Sequence, residues 1–584
     1  MNKKILRLVS LVMISVMTSG ALYGCSLFDS SNKEKADLYD YYNISDDSTE
    51  CAVIVDYTVS ETNAIIQDET IYIDIDTVND YINKKIYWDS NEGTVLYTNS
   101  VSTASYTVGE NSYVSGDGET VSTDYTPAIE ENETLYLAID FIELFSDIEY
   151  ETYDGPSRIC IISEWGEYET VSVTSKTAKI RTGDGNQNEI MCEAEKGETL
   201  EYIEEGSLYS CVKTESGIIG YVSNDDISSV SDETRTSDFE EPEYTSLTRD
   251  EKISMAWHQV SGKAGNKNIS TLMEDVSGVN VLSPTWFKIC DSEGNISSYA
   301  TFDYVQTVHN MGIEVWALID DFEYDEDGNR YVDQVLPYTS KRQNLVQNLI
   351  KEVLYYGIDG INIDFEYVGL EIADDYLQFL RELSVECREN GIVLSIDNYV
   401  PSAWSGYYDR EQQGEIADYV VVMSYDEHNT DSDVAGSVAS ISYVTEAVTA
   451  TVLEVGDSSK VINGVPFYTR VWIETPEEYA EDGSNIIEDA ANGNYALSSQ
   501  AVTMEVAKSL YEAAGAEPIW NEECGQYYVS YGQDNSTYMI WLEDASSIEL
   551  KMQLVEENKL GGAAYWKLGM ETSDIWDVIS QYIE

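Results

Sequence analysis

Eight short apolar runs, each separated from the next by an amphipathic stretch, fill the chain from about residue 250 onward. They are Ile253–Trp257, Val279–Ser283, Glu314–Leu318, Gly360–Phe365, Val393–Ile396, Tyr419–Met423, Val461–Val465 and Ala563–Trp566. Val/Ile-rich runs between helical patterns read as parallel strands covered on both faces. Eight such units in about 330 residues predict a C-terminal (β/α)8 TIM barrel. The gap between the seventh and eighth runs, roughly 470–545, is too long for a plain crossover. It predicts an α+β insertion, with a helix near Ala501–Ala514 and a hairpin pairing Gln526–Tyr531 with Thr537–Leu542.

The fourth run carries unusual polarity: Asp359-Gly360-Ile361-Asn362-Ile363-Asp364-Phe365-Glu366. Strand side chains alternate, so Asn362, Asp364 and Glu366 share one face, and Ile361, Ile363 and Phe365 point to the helix layer. Polar residues aimed into a barrel are costly unless they bond one another or a ligand. These lie toward the strand's C-terminal end, where barrel enzymes build their sites. Crowded carboxylates raise one another's pKa, which suits a general acid.

Other strand ends add to this. Met423-Ser424-Tyr425-Asp426-Glu427-His428 closes the sixth run, Gly464-Val465-Pro466-Phe467-Tyr468 with Arg470 follows the seventh, and Trp566 ends the eighth. Together these residues resemble glycoside hydrolase family 18, whose signature is Asp-Gly-x-Asp-x-Asp-x-Glu. The resemblance implies retaining hydrolysis in which the substrate's own N-acetyl oxygen is the nucleophile, an exception to the two-carboxylate scheme. It implies that Glu366 protonates the glycosidic oxygen and then activates water. Asp364 would orient the acetamido N–H, Tyr425 would donate to the acetamido oxygen, and Trp566 would lie under the sugar ring. Asp426, Met423, Arg470, Asn362 and Asp359 are the further substrate-binding candidates. Asn362 departs from the signature, which has Asp there. An amide cannot repel Asp364, so Asp364 is expected to ionise more easily than in the full pattern.

Asn at that position, with Glu427-His428 after the strand-six motif, resembles the spore-cortex-lytic and sporulation branch of the family. The expected partner is therefore an N-acetylglucosamine-containing polysaccharide, peptidoglycan or spore cortex. A chitinase or an endo-β-N-acetylglucosaminidase is the alternative within enzymes. A catalytically inactive carbohydrate-binding protein is the alternative outside them. No cofactor is expected. No metal is expected either, because His258, His309 and His428 are scattered, although His428 is a candidate to line the cleft.

Before the barrel, Lys3, Lys4 and Arg7 precede an apolar stretch from Leu8 to about Leu22. A basic start and a short apolar core describe an export signal, residues 1–25. Leu22-Tyr23-Gly24-Cys25 resembles a bacterial lipobox, which implies lipidation of Cys25 and a lipid anchor at the outer face of the cytoplasmic membrane. Residues 26–50 read as a linker. In 51–165 there is a repeat, Glu69–Val78 against Glu133–Ile142, each a strand entering a short helix. This repeated α+β domain resembles the copper amine oxidase N-terminal domain. No His precedes position 258, so no copper chemistry is implied. In 171–229, short strands between Gly/Asp/Glu turns predict a small all-β barrel. Ile180-Arg181-Thr182-Gly183 and Gly220-Tyr221-Val222 there resemble bacterial Src-homology-3-type domains. An acidic linker, 230–248, leads to the catalytic domain, 249–584.

With 108 Asp+Glu against 32 Lys+Arg, the net charge of −76 disfavours nucleic acid as a partner. Of eight cysteines, seven remain if Cys25 is lipidated, so a complete disulfide framework is excluded. Cys192 and Cys211 are close enough in sequence to pair, and buried free thiols are the alternative.

Overall fold

The computed structural model describes residues 31–45, 49–481, 485–488 and 493–583. The export signal and Cys25 lie outside the described residues. Among the described residues no helix is long and apolar enough to cross a membrane. The chain divides into two compact units, 1–63 with 149–237, and 64–148 with 238–584.

The first unit is mostly strand. Gly166–Ser172, Thr177–Arg181, Ile190–Glu195, Thr199–Glu204, Tyr209–Lys213, Ile219–Ser223 and Ser231–Arg235 form an antiparallel seven-stranded sheet over Val171, Ala178, Ile180, Leu200, Val212 and Val222. Two expected linkers are folded in part. Ser231–Arg235 pairs with Gly166–Ser172, and Arg235 anchors it through Glu201 at 2.9 Å and the Tyr168 ring at 4.2 Å. Residues after Asn32 also belong to this unit: Tyr42 and Ile44 pack with Ala52, Ile54 and Cys160, because their side chains are too apolar for a solvated tether. Cys192 and Cys211 are free thiols, as are the other described cysteines.

The 51–165 repeat is divided between the units. Its strand Glu50–Val55 and hairpin Glu149–Tyr153/Arg158–Ile162 lie in the first unit. In the second, Thr70–Asp74 leads into helix Ile75–Tyr81, and Thr134–Ala138 into Ile139–Glu143. The two strands pair antiparallel, Tyr136 opposite Asp74. The repeat extends to the turns, where Asp68, Glu69, Asn132 and Glu133 all have positive φ, 49° to 68°, the two-residue geometry that joins twisted strands tightly.

The barrel closes as expected. Its strands are Ile253–His258, Val281–Ile289, Glu314–Asp320, Gly360–Asp364, Val393–Asn398, Tyr419–Met423, Val461–Pro466 and Gly562–Trp566. All neighbours are parallel, and the first strand pairs with both the second and the eighth. Met255, Trp257, Trp316, Leu318, Tyr419 and Ile462 fill the interior. Ile361, Ile363 and Phe365 face the helices, with Phe365 stacked on Phe379 at 5.6 Å. The helices end where glycine supplies a left-handed residue: Gly357 after Thr339–Tyr356, Gly391 after Ala373–Asn390 and Gly456 after Ile441–Val455. Gly360 is required by space, since a Cβ there would lie 2.6 Å from the Trp316 ring.

The insertion is a six-stranded sheet with helix Met504–Ala514. Its hairpin is Gln526–Gln533 with Ser536–Leu542. Two long strands, Tyr468–Pro476 and Tyr495–Thr503, were not legible as such. The expected helix starts three residues later than Ala501, at Met504, behind the Thr503 cap.

Residues 64–148 and the barrel helices share one buried polar network. Arg342, fully buried, donates to the Tyr87 hydroxyl at 3.0 Å and pairs with Glu382 at 3.2 Å. The Tyr87 hydroxyl in turn bonds Asp375. Gln378 bridges Glu382 and Thr98, and Asp89 accepts from the Thr339 N–H at 2.6 Å.

Candidate active site

At the C-terminal end of the barrel strands lies a cleft of about 430 Å³. It is lined by Asp364 and Glu366 from the fourth strand, Met423, Tyr425 and Asp426 from the sixth, and Trp566 from the eighth. Six predicted residues therefore converge. Lys288, Asp320, Phe322, Asp397, Tyr399, Tyr468 and Trp257 join them.

Glu366 stands at the strand's mouth. Its backbone N–H and that of Tyr367 donate to the two oxygens of buried Asp321, at 3.0 and 2.8 Å, which fixes the chain just past the strand. Tyr399 donates to Glu366 Oε2 at 2.7 Å. Burial pushes the Glu366 carboxyl above its usual range, while the Tyr399 bond pulls it down. Burial, with Glu366, Asp397 and Asp321 nearby, holds the Asp364 carboxyl well above its usual range. Asp321 is pushed up to about 7 by burial.

Asn362 removes a carboxyl from Asp364's own strand, but Asp397 brings another beside it from the next strand, and Asp364 stays raised. Asn362 itself is fully buried below the cleft rather than exposed to a ligand. Its Oδ1 accepts from Trp257 Nε1 and Ser283 Oγ, both at 2.9 Å, and its Nδ2 donates to Asp397 Oδ1 at 2.8 Å. Its part is to position neighbours.

Three other expectations need correction. Asp359 precedes the strand at the far end of the barrel, where it accepts from the Val315 N–H at 2.8 Å and pairs with His309 at 2.7 Å. Four residues of strand separate it from Asp364, so it cannot reach the cleft. Arg470 is buried on the first insertion strand, bonded to Thr430, and is not among the cleft-lining residues. His428 is occupied with the Ser437 carbonyl at 2.9 Å and does not line the cleft. The remaining histidine, His258, bonds Tyr304. Among the described residues no His/Cys/Asp/Glu group suits a metal ion.

Asp426 adopts positive φ, 59°, and accepts from the Tyr468 hydroxyl, which holds that strained backbone in the cleft wall. Trp566 meets Trp257 edge to face at 5.9 Å, leaving Trp566 only partly buried. Carboxyls with raised pKa beside an exposed aromatic face suit acid catalysis on a sugar.

Residues 244–571 match Glycosyl hydrolases family 18. The chain belongs to that family. Residues 54–155 match the Copper amine oxidase N-terminal domain. Among family 18 relatives, an uncharacterized glycosylase of Bacillus subtilis, YvbX, is 28% identical over 299 residues, 50% of this chain and 80% of that protein. The cortical fragment-lytic enzyme of Bacillus subtilis is 25% identical over 246 residues, 41% of this chain. That match spans 53% of the relative's length. In fold, the barrel is similar to the C-terminal domain of a chitinase-assigned protein from Desulfitobacterium hafniense, with TM-score 0.50 and 21% identity. That likeness covers 57% of this chain and 100% of that one. This family 18 chain is thus a glycoside hydrolase.

Asp397, Tyr399 and Asp321 are site residues that sequence reasoning missed. Asp397 carries the one available signal, an acid inside the apolar run Val393–Asn398.

Proposed function

We propose that this family 18 hydrolase cleaves β-linked N-acetylglucosamine in peptidoglycan or spore cortex, with retention, by substrate-assisted catalysis. The observation that carries the reading is the pairing of two unlike carboxyls on one strand. Glu366 sits at the mouth with one oxygen held by Tyr399, and Asp364 sits deeper, 6% exposed in the cleft lining. A buried carboxyl oxygen at the cleft suits an acetamido N–H. Glu366, held above the usual carboxyl range, is the proton donor to the leaving oxygen and then the base for water. Tyr425 is the donor to the acetamido oxygen, and Trp566 the apolar face for the ring.

The wall substrate is favoured over chitin by the relative named as a cortical fragment-lytic enzyme and by the Asn362 and Glu427-His428 pattern. A lipid anchor at Cys25 and a wall-binding Src-homology-3-type module in 171–229 belong to the same reading, since both would hold the barrel near its substrate.

The test is reducing-end release from cortex fragments, vegetative wall, chitin oligomers and high-mannose glycan, followed by mass analysis of products. Wall or cortex products ending in N-acetylglucosamine support the reading. Preference for chitin oligomers or high-mannose glycan moves the substrate to those classes. A Glu366→Gln protein as active as the parent sinks the mechanism.

A further inference from the structure

Asn362 Oδ1 faces two donors, Trp257 Nε1 and Ser283 Oγ. Only a carbonyl oxygen satisfies both, so the amide's orientation is fixed and Nδ2 must point at Asp397 Oδ1. One oxygen is then left without a partner on each of two buried carboxyls, Asp397 Oδ2 and Asp364 Oδ1. The two residues line the same cleft and are 2% and 6% exposed. Ionised together they would be like charges held out of water, which strongly disfavours that state. A single proton between them removes that repulsion and satisfies both atoms.

We propose that Asp397 and Asp364 share one proton, held on Asp397 Oδ2 and donated to Asp364 Oδ1, which makes Asp397 a positioning residue for Asp364. Asp364 then carries the negative charge and keeps one rotamer, while its other oxygen is free for a ligand. The family signature keeps its second acid two residues earlier on the same strand. Here an amide stands in that place, and the acid comes from the fifth strand.

The titratable groups facing Asp397 are Asp364 and Glu366 from the fourth strand, Tyr425 from the sixth and Tyr376 from the helix layer. None is a cation that would hold Asp397 ionised. The cleft's Lys288 is engaged by Glu323 at 2.7 Å and Asp320 at 3.9 Å. Burial pushes Asp397 up to about 8, against the bond from Asn362. Burial raises Asp364 as well, so the pair keeps one proton between its two carboxyls at neutral pH.

The kinetic consequence rests on the proposed role of Asp364, but protonation can be read without substrate. Infrared difference spectra of the full chain at pH 7, wild type minus Asp397→Asn, should show a neutral carboxylic acid band that the variant lacks. Asn matches the protonated acid in shape and offers an N–H where the acid offers an O–H. Asp397→Asn should therefore keep kcat within about five-fold, whereas Asp397→Leu should lose about 30-fold or more with KM little changed. Activity is read on whichever glycan the wild type turns over, and thermal unfolding checks that the variants fold. Identical infrared spectra would overturn the proposal, because Asp397 would then be ionised. So would an Asn variant as impaired as a folded Leu variant. If Asp397→Leu fails to fold, the Asn variant and the spectra still decide. Full activity in Glu366→Gln would instead remove the catalytic reading while leaving the infrared result standing.

Discussion

Tyr399 donates its hydroxyl to Glu366 Oε2 at 2.7 Å, and its ring stands 5.0 Å from the exposed Trp404. A donor to a carboxyl favours the ionised form, so this bond opposes the effect of burial on Glu366. Tyr399→Phe is expected to raise the Glu366 pKa further. Because the acid must be protonated to act, the alkaline limb of the kcat/KM profile should move to higher pH, by about one unit. An unmoved limb would detach Tyr399 from the acid's tuning.

Asp359 belongs to the family signature yet lies at the barrel's far end, bonded to His309 and the Val315 N–H. Asp359→Asn should leave kcat and KM within about two-fold while lowering stability by about 1–2 kcal/mol in chemical denaturation. A large kinetic loss in a folded variant would contradict this placement.

His258 is buried and bonded to Tyr304 at 3.0 Å, and burial depresses its pKa from 6.5 to about 4, with Lys567 adding to the effect. Between those values the unfolded chain binds a proton that the folded chain refuses. Stability from this group is full above pH 6.5 and falls as pH drops toward 4, by about 3 kcal/mol at most. In His258→Phe the pH 7-to-4 loss should be smaller than in the wild type by up to about that amount. Equal slopes in denaturant titrations would refute it.

Arg342 is fully buried between Glu382 and Tyr87. Arg342→Met leaves the Glu382 carboxylate without its cation in the interior. A loss of about 3–5 kcal/mol is expected by denaturant unfolding. Glu382→Gln in the same background should recover part of it, since the stranded charge is then gone.

The barrel was legible because parallel strands covered on both faces must be apolar along their length, and Ile361, Ile363 and Phe365 sit where alternation puts them. Asp364, Glu366, Tyr425 and Trp566 were legible because each ends such a run. Asp321, Asp397 and Tyr399 were not. Asp321 and Tyr399 look ordinary in their own segments, Asp397 stands out only as an acid in an apolar run, and all three acquire meaning only when barrel closure brings them beside the fourth strand. The motif also misled at Asp359, since a signature fixes which residues recur and not which end of a strand they occupy. The insertion's strands Tyr468–Pro476 and Tyr495–Thr503 escaped for a related reason: the first runs from buried to exposed, the second is half-exposed, and pairing with each other is what makes them strands.

The bond from the Thr339 N–H to Asp89 spans 250 residues of sequence. Synthesis runs from the N-terminus at about 5–20 residues per second, so the segment around Tyr87 and Asp89 precedes its barrel partner by on the order of 10–50 s. During that interval Tyr87 lacks the guanidinium that will cover it. A ribosome that pauses before residue 339 therefore holds a nascent chain in which Tyr87 and Asp89 are made but the helix that carries Thr339 and Arg342 is not.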